Sequence, residues 1–239
     1  MDFDNVYEDA RRAEAYARLE FPGTYYLAYR DLPEIISEFV TGKQAVDFGC
    51  GAGRSTRYLN KLGFETIGVD ISDDMLKRAR AQDRGGEYFR VVDGDLSPIK
   101  SDSNDFVLSA FTFDNIPTAE KKLRNLNEIK RILKPGGIMI NLVSSPDIYI
   151  HEWASFTTKD FPENRHAKSG DKVKIIMTDV DDRRPVEDIV WTHESYLDIY
   201  RQAGLKLIRT HKPLAKESEP FHWVNETRIA PWVIYVLRK

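Results

Sequence analysis

Three glycines at alternate positions, Gly49, Gly51 and Gly53, follow directly on the apolar run Ala45-Val46-Asp47-Phe48. A strand that breaks into such a loop brings bare backbone up to a ligand, because glycine has no side chain to stand in the way. A second apolar run, Thr66-Ile67-Gly68-Val69, ends in Asp70. In a doubly wound sheet the carboxyl ends of neighbouring parallel strands open on one crevice, so Asp70 can chelate a ribose diol beside the glycine loop. The pair predicts a nucleoside-containing cofactor. The dinucleotide pattern GxGxxG does not fit, since its third glycine falls on Arg54 counting from Gly49 and on Thr56 counting from Gly51.

The hydrophobic pattern alternates in the βα manner from residue 43 onward. Strands are expected at 44–48, 65–69, 87–92, 105–110 and 138–143, and helices at 54–62, 73–82 and 119–133. Ser72 is a natural cap for the helix at 73, with Asp73 and Asp74 favourably placed in its first turn. Short connections of this kind predict a parallel sheet covered by helices on both faces. Before the sheet, Tyr7–Leu19 and Thr24–Val40 read as helical, separated by Pro22-Gly23. Between Ser144 and Trp191 the rhythm fails. A polar loop is followed by two alternating segments, 172–179 and 186–191, around Asp181-Asp182-Arg183-Arg184-Pro185. A helix at 193–203 and strands at 205–211 and 232–238 complete the chain.

The segment Asp47-Phe48-Gly49-Cys50-Gly51-Ala52-Gly53 resembles the acidic-x-GxGxG signature of class I S-adenosylmethionine-dependent methyltransferases. The likeness covers about 44–143 by motif and the last 45 residues by element order. It implies an α/β, Rossmann-like sheet of seven strands, mostly parallel with an antiparallel last strand, helices on both faces, a helical arm (1–40) and an inserted lid (144–192). The whole chain, 1–239, then forms one domain, with its core in 41–143 and 193–239.

The same resemblance implies S-adenosylmethionine as cofactor and assigns roles. Asp47 helps hold the methionine ammonium, directly or through water, while Gly49, Gly51 and Gly53 admit the amino acid portion and the sulfonium. Asp70 takes the ribose hydroxyls and Ile71 lies against the adenine. In Asp93-Gly94-Asp95-Leu96, Asp95 accepts from the adenine amino group, with Asp93 as fallback, and the Leu96 backbone faces the ring. Leu133-Lys134-Pro135-Gly136-Gly137 matches the family's turn before the fifth strand. Ala110 and Phe111, after the fourth strand, line the place where cofactor meets substrate. In the arm, Tyr25 or Tyr29 covers the sulfonium, whose charge favours an aromatic face, and Arg30 pairs with the methionine carboxylate.

Composition narrows the partners. A formal net charge of -3 gives no general basic field for a polyanion, and the tetrapeptide that marks amino-directed DNA methyltransferases is absent, so nucleic acid is a poor candidate. No apolar run approaches the roughly 18 residues that span a bilayer, and the acidic start lacks a signal peptide's apolar stretch, so a cytoplasmic address is expected. The single cysteine, Cys50, excludes an intramolecular disulfide and reads as a small filler of the loop. No metal-ligand spacing is visible. The expected reaction moves a methyl group to nitrogen or oxygen of a small-molecule acceptor. An RNA or protein methyltransferase and a catalytically silent cofactor-binding module are the alternatives. His151, Asp114 and Glu152 are candidate bases, should the acceptor need one, and Trp153, Trp191 and Phe221-His222-Trp223 are candidate walls of an apolar acceptor pocket.

Overall fold

The computed structural model describes residues 22–239. The helix expected over Tyr7–Leu19 lies outside the described residues. In chain order the elements are α1 (Thr24–Arg30), α2 (Leu32–Phe39), β1 (Gln44–Phe48), α3 (Arg54–Lys61), β2 (Glu65–Asp70), α4 (Asp73–Gln82), β3 (Glu87–Arg90), β4 (Asn104–Ala110), α5 (Ala119–Ile132), β5 (Leu133–Ser144), β6 (Phe156–Thr157), β7 (Lys172–Met177), β8 (Val186–Ile189), α6 (His193–Ala203), β9 (Lys206–His211) and β10 (Trp232–Arg238).

Seven strands form one sheet in the order β3-β2-β1-β4-β5-β10-β9. β1 runs parallel to both β2 and β4, whereas β10 is antiparallel to β5 and to β9. Only β10 therefore runs against the others, as the resemblance implied. The period-2 alternation of the strands feeds two cores. Phe106, Leu108, Ile138, Ile140 and Leu142 face one side. Their chain neighbours Val107, Met139 and Val143 face the other, against Leu126, Ile129, Tyr196 and Tyr200 of α5 and α6.

Local chemistry sets the ends of the helices. Ser72, Thr118 and Thr192 each accept a backbone N–H in the first turn of α4, α5 and α6. The run expected as one helix over Thr24–Val40 divides at Asp31, two residues before Pro33, which has no N–H to continue the ladder. The Lys134-Pro135-Gly136-Gly137 segment is less a turn than expected. It is absorbed into the start of β5, where the pairing with β4 shifts register between Asn104 and Phe106.

The inserted segment builds a second sheet, β6-β7-β8. One buried carboxylate ties it to the arm and to the approach to β10. Glu226 accepts from the Thr24 hydroxyl at 2.7 Å, from the Ala154 N–H at 2.7 Å and from the N–H groups of Val224 and Asn225 at 2.8 and 3.1 Å. Thr24 and Ser155 exchange a further pair of hydrogen bonds, and the Trp232 indole donates to the Thr24 carbonyl at 2.8 Å.

Candidate active site

The chain leaves β1 for β2 and β3 on one side and returns to β4 on the other. The carboxyl ends of β1 and β4 therefore flank a topological switch point, where open α/β sheets bind ligands. A crevice of about 970 Å³, its solvent mouth included, lies there. It is lined by Gly49, Gly51, Asp70, Ile71, Ala110, Phe111 and Tyr25 among the residues singled out above, and also by Arg54 and Asn115.

The loop owes its shape to glycine at two positions that matter differently. Gly49 has φ +76°, and a Cβ there would overlap the Thr112 side chain, whose hydroxyl donates to the Phe48 carbonyl at 2.8 Å. Gly51 has φ +52°, and a Cβ there would meet nothing within 4 Å. Its backbone faces open space, as a ligand cradle requires. Asp70 stiffens this cradle, accepting from the Gly51 N–H at 2.8 Å and from the Ser72 N–H at 2.8 Å. Burial pushes its carboxyl above the ordinary carboxylate range, against the pull of those backbone donors.

Asp47 is fully buried beneath the loop and does not reach the crevice wall. Its Oδ2 accepts from the Ser55 and Thr56 hydroxyls at 2.6 and 2.7 Å, while Oδ1 has no hydrogen-bond partner among the described residues. Burial raises its carboxyl to about 6 despite both donors. Gly53 lies outside the lining as well and starts α3 in a left-handed conformation. Cys50 is one of the lining residues, but its side chain packs with Leu76, Ala79 and Tyr88, and burial raises the thiol well above the ordinary range, so it is inert rather than nucleophilic.

Three expectations need correction. Arg30 does not line the crevice. Its guanidinium is taken by Asp31 at 2.7 Å, by Glu219 at 2.7 Å and by the Leu214 carbonyl at 3.0 Å. The cation that does line the crevice is Arg54, 5.4 and 5.6 Å from the ring centroids of Tyr25 and Tyr29. Neither Asp95 nor Leu96 lines it. Asp95 is exposed and closes its own turn by accepting from Ser97, while the Leu96 N–H donates to Glu128 and the Leu96 side chain is in the core.

A second cavity, of about 400 Å³ with its mouth, adjoins the first and shares Tyr25, Phe111 and Asn115 with it. Rings crowd its walls. Tyr25 stacks on Trp232 with centroids 5.6 Å apart, and Phe111 and Phe156 meet Trp232 edge-on at 4.8 and 5.8 Å. Phe111 takes φ +63°, a costly conformation for a bulky side chain. The backbone is held there by the Phe111 N–H on the Leu142 carbonyl and by the Asn115 amide on the Phe111 carbonyl. The aromatic residues expected to line such a pocket are elsewhere. Trp153 donates to the Ile148 carbonyl inside the core, Trp191 packs on Tyr196, and Phe221 and Trp223 pack on each other. Of the candidate bases only Asp114 lines the cavity; Glu152 is bound by Thr157 and Thr158, and His151 stands beside Trp153.

Residues 46–141 match the family model described as "Methyltransferase domain". An N-demethylindolmycin N-methyltransferase of Streptomyces griseus is 26% identical over 200 residues, 82% of this chain and 83% of that protein. A demethylmenaquinone methyltransferase of Staphylococcus saprophyticus is 34% identical over 110 residues, covering 44% of this chain and 46% of that one. The fold matches an S-adenosylmethionine-dependent methyltransferase of Methanosarcina mazei with TM-score 0.64 at 16% identity, covering 86% of this chain and 96% of that one. The chain is an S-adenosylmethionine-dependent methyltransferase whose matched segment, 46–141, and whose fold are similar to those of class I. S-Adenosylmethionine is the cofactor of this methyltransferase, and its seven-stranded sheet is the one the family uses. The open cradle at Gly51 fits that molecule, since it brings no phosphate and bare backbone leaves room for its amino acid portion.

Proposed function

We propose that this enzyme methylates a nitrogen or oxygen of a small-molecule acceptor held in the ring-lined cavity. The observation that carries the proposal is the sharing of Tyr25, Phe111 and Asn115 between that cavity and the cofactor crevice. A transfer by in-line displacement needs donor and acceptor in contact across one short boundary, and such positioning can supply about 7–11 kcal/mol of the barrier. The cavity, about 400 Å³ with its open mouth included, is smaller than the cofactor crevice beside it, which favours a compact acceptor over a polynucleotide or a folded protein. The similarity to a methyltransferase whose name specifies N-methylation of a small molecule points the same way.

When bound, S-adenosylmethionine supplies a methyl group on a positively charged sulfur, already activated for displacement. The Asp70 carboxylate keeps lone pairs for the ribose hydroxyls after accepting two backbone N–H groups. Arg54 pairs with the methionine carboxylate, the role first expected of Arg30. Asp47 fixes the Ser55 hydroxyl at the crevice wall and retains one acceptor oxygen toward the ammonium side. Tyr25 and Phe111 give the sulfonium an aromatic border and keep water from the transfer path. A cytoplasmic address accompanies this reading.

Purified full-length protein with methyl-labelled S-adenosylmethionine, offered separate metabolite, RNA and protein pools, tests the proposal. Label is expected in the small-molecule fraction. Label confined to macromolecules, or absent from every pool, rejects it.

A further inference from the structure

The ring-lined cavity has a polar inventory of one kind. Asp114, Asp188 and Asn115 line it, and the buried Oδ1 of Asn115 has no hydrogen-bond partner among the described residues. The Asn115 amide nitrogen is already committed to the Phe111 carbonyl at 3.2 Å, which fixes the oxygen's direction. The donors at the wall are few and turned to the protein's own acceptors. Tyr149 donates its hydroxyl to Asp188 at 3.1 Å, and the Ser144 N–H donates to Asp114 at 3.0 Å. A cavity rich in acceptors selects a ligand rich in donors.

The charges point to the same ligand. Beneath the cavity lies Lys122, fully buried, its ammonium donating to the Phe113 carbonyl and lying 5.0 Å from the Trp191 ring. Two carboxylates, Asp114 buried and Asp188 half-buried, leave an unbalanced negative charge against one ammonium when both are ionised. Such a charge is not kept: the group takes a proton or a partner. Burial and the neighbouring Asp114 raise Asp188 to about 8, burial raises Asp114 to about 6, and burial lowers Lys122 to about 7. Among the described residues, Tyr149, Glu187 and Tyr196 also bear on Asp188, and of the lysines on the paired strand Lys172 is bound to Glu187 at 2.6 Å. Ionisation of Asp188 therefore calls for one further positive unit, and the surrounding rings suit a cation as well.

Resting on the methyl-transfer reading above, we propose that the acceptor is a compact primary or secondary amine that enters as its ammonium ion, seated between the aromatic walls with its N–H groups on Asp188, Asp114 and Asn115. Asp188 then acts as the base. Its carboxylate takes one proton from the ammonium, and the freed nitrogen lone pair forms the new N–C bond as the methyl carbon's bond to sulfur breaks, that electron pair remaining on the now neutral sulfur. The product leaves as a methylated ammonium ion and the proton on Asp188 passes to solvent.

Thermal melting of the full-length protein with S-adenosylhomocysteine tests this, using 2-phenylethylamine, its N-methyl derivative and tryptamine against the isosteric alcohols 2-phenylethanol and tryptophol. A ligand of the folded state raises the melting temperature. The amines are expected to raise it further and the alcohols not, and mass spectrometry with S-adenosylmethionine should find N-methylated product. Affinity for the amines should rise at least tenfold from pH 6 to 8.5, and Asp188→Asn should abolish that rise while S-adenosylhomocysteine still binds. Asp114→Asn, folded by its circular dichroism, should lose amine affinity and move the rise to lower pH, because no neighbouring charge then opposes ionisation of Asp188. Equal or better stabilisation by the alcohols, no response to any amine, or an unchanged slope in Asp188→Asn overturns the amine assignment alone. Failure of S-adenosylhomocysteine itself to stabilise the protein would instead remove the reading on which it rests.

Discussion

Arg30 and Arg54 carry the same charge in opposite surroundings. The first is saturated by Asp31, Glu219 and a backbone carbonyl, a bidentate clamp that holds the guanidinium's proton even more firmly than usual. The second borders the crevice beside two tyrosine rings. Arg54→Ala should therefore weaken S-adenosylhomocysteine binding about 10- to 100-fold, the loss of one charge-assisted hydrogen bond of about 1.5–3 kcal/mol. Arg30→Ala should leave that affinity within twofold, as read by calorimetry. A reversed ranking would return the carboxylate to Arg30. Gly49→Ala should cost more at the site than either, because a left-handed φ and the Thr112 side chain both oppose a Cβ. Its binding should be undetectable by calorimetry, with Thr112→Ser as a control that keeps the hydroxyl and binds normally.

At the level of elements, Glu226 links α1, the segment before β6 and the approach to β10 through four donors. Replacing it with alanine strands several buried donors at about 1–3 kcal/mol each. We expect Glu226→Ala to lose at least about 3 kcal/mol, hence about 6–12 °C of melting temperature for a chain of this size. Cofactor affinity should fall with it, because Thr24 positions Tyr25; a stable variant with weakened binding only would mean that the link serves the site and not the fold. Nothing in the local sequence announces Glu226, whose partners are as far as 202 residues away. The core was legible because its signal is local: the apolar runs of β4 and β5, the cap at Ser72, the glycines after β1. The ring-lined cavity was not, because its walls come from α1, the end of β4, the inserted segment and β10, and each ring there looks in sequence like ordinary core packing. Trp232 reads as the first residue of a buried strand and proves to be the cavity's central wall. Asp95 failed for the related reason that an aspartate before a turn has a local use, which here it fulfils.

Across the whole molecule, the buried acids make stability depend on pH in a direction opposite to ordinary acid denaturation. Asp188, held at about 8, and Asp47 and Asp114, held at about 6, bind protons in the folded state that the unfolded chain releases near pH 4. Their contribution is full below pH 4 and is lost as pH rises through 6 and then 8. Lys122, lowered to about 7, works the other way: its contribution is full above pH 10.4 and is lost as pH falls through 7. Comparison with Asp188→Asn separates one group from the rest. The variant's melting temperature, taken relative to the parent without added ligand, should climb between pH 5 and 8.5, since only the parent must ionise Asp188. A pH-independent difference would mean that Asp188 titrates in the ordinary range. An ammonium ligand at saturating concentration should shrink the parent's loss over the same interval, because it supplies the positive charge that lets Asp188 ionise without a solvent partner, and it should do so for the parent and not for the variant.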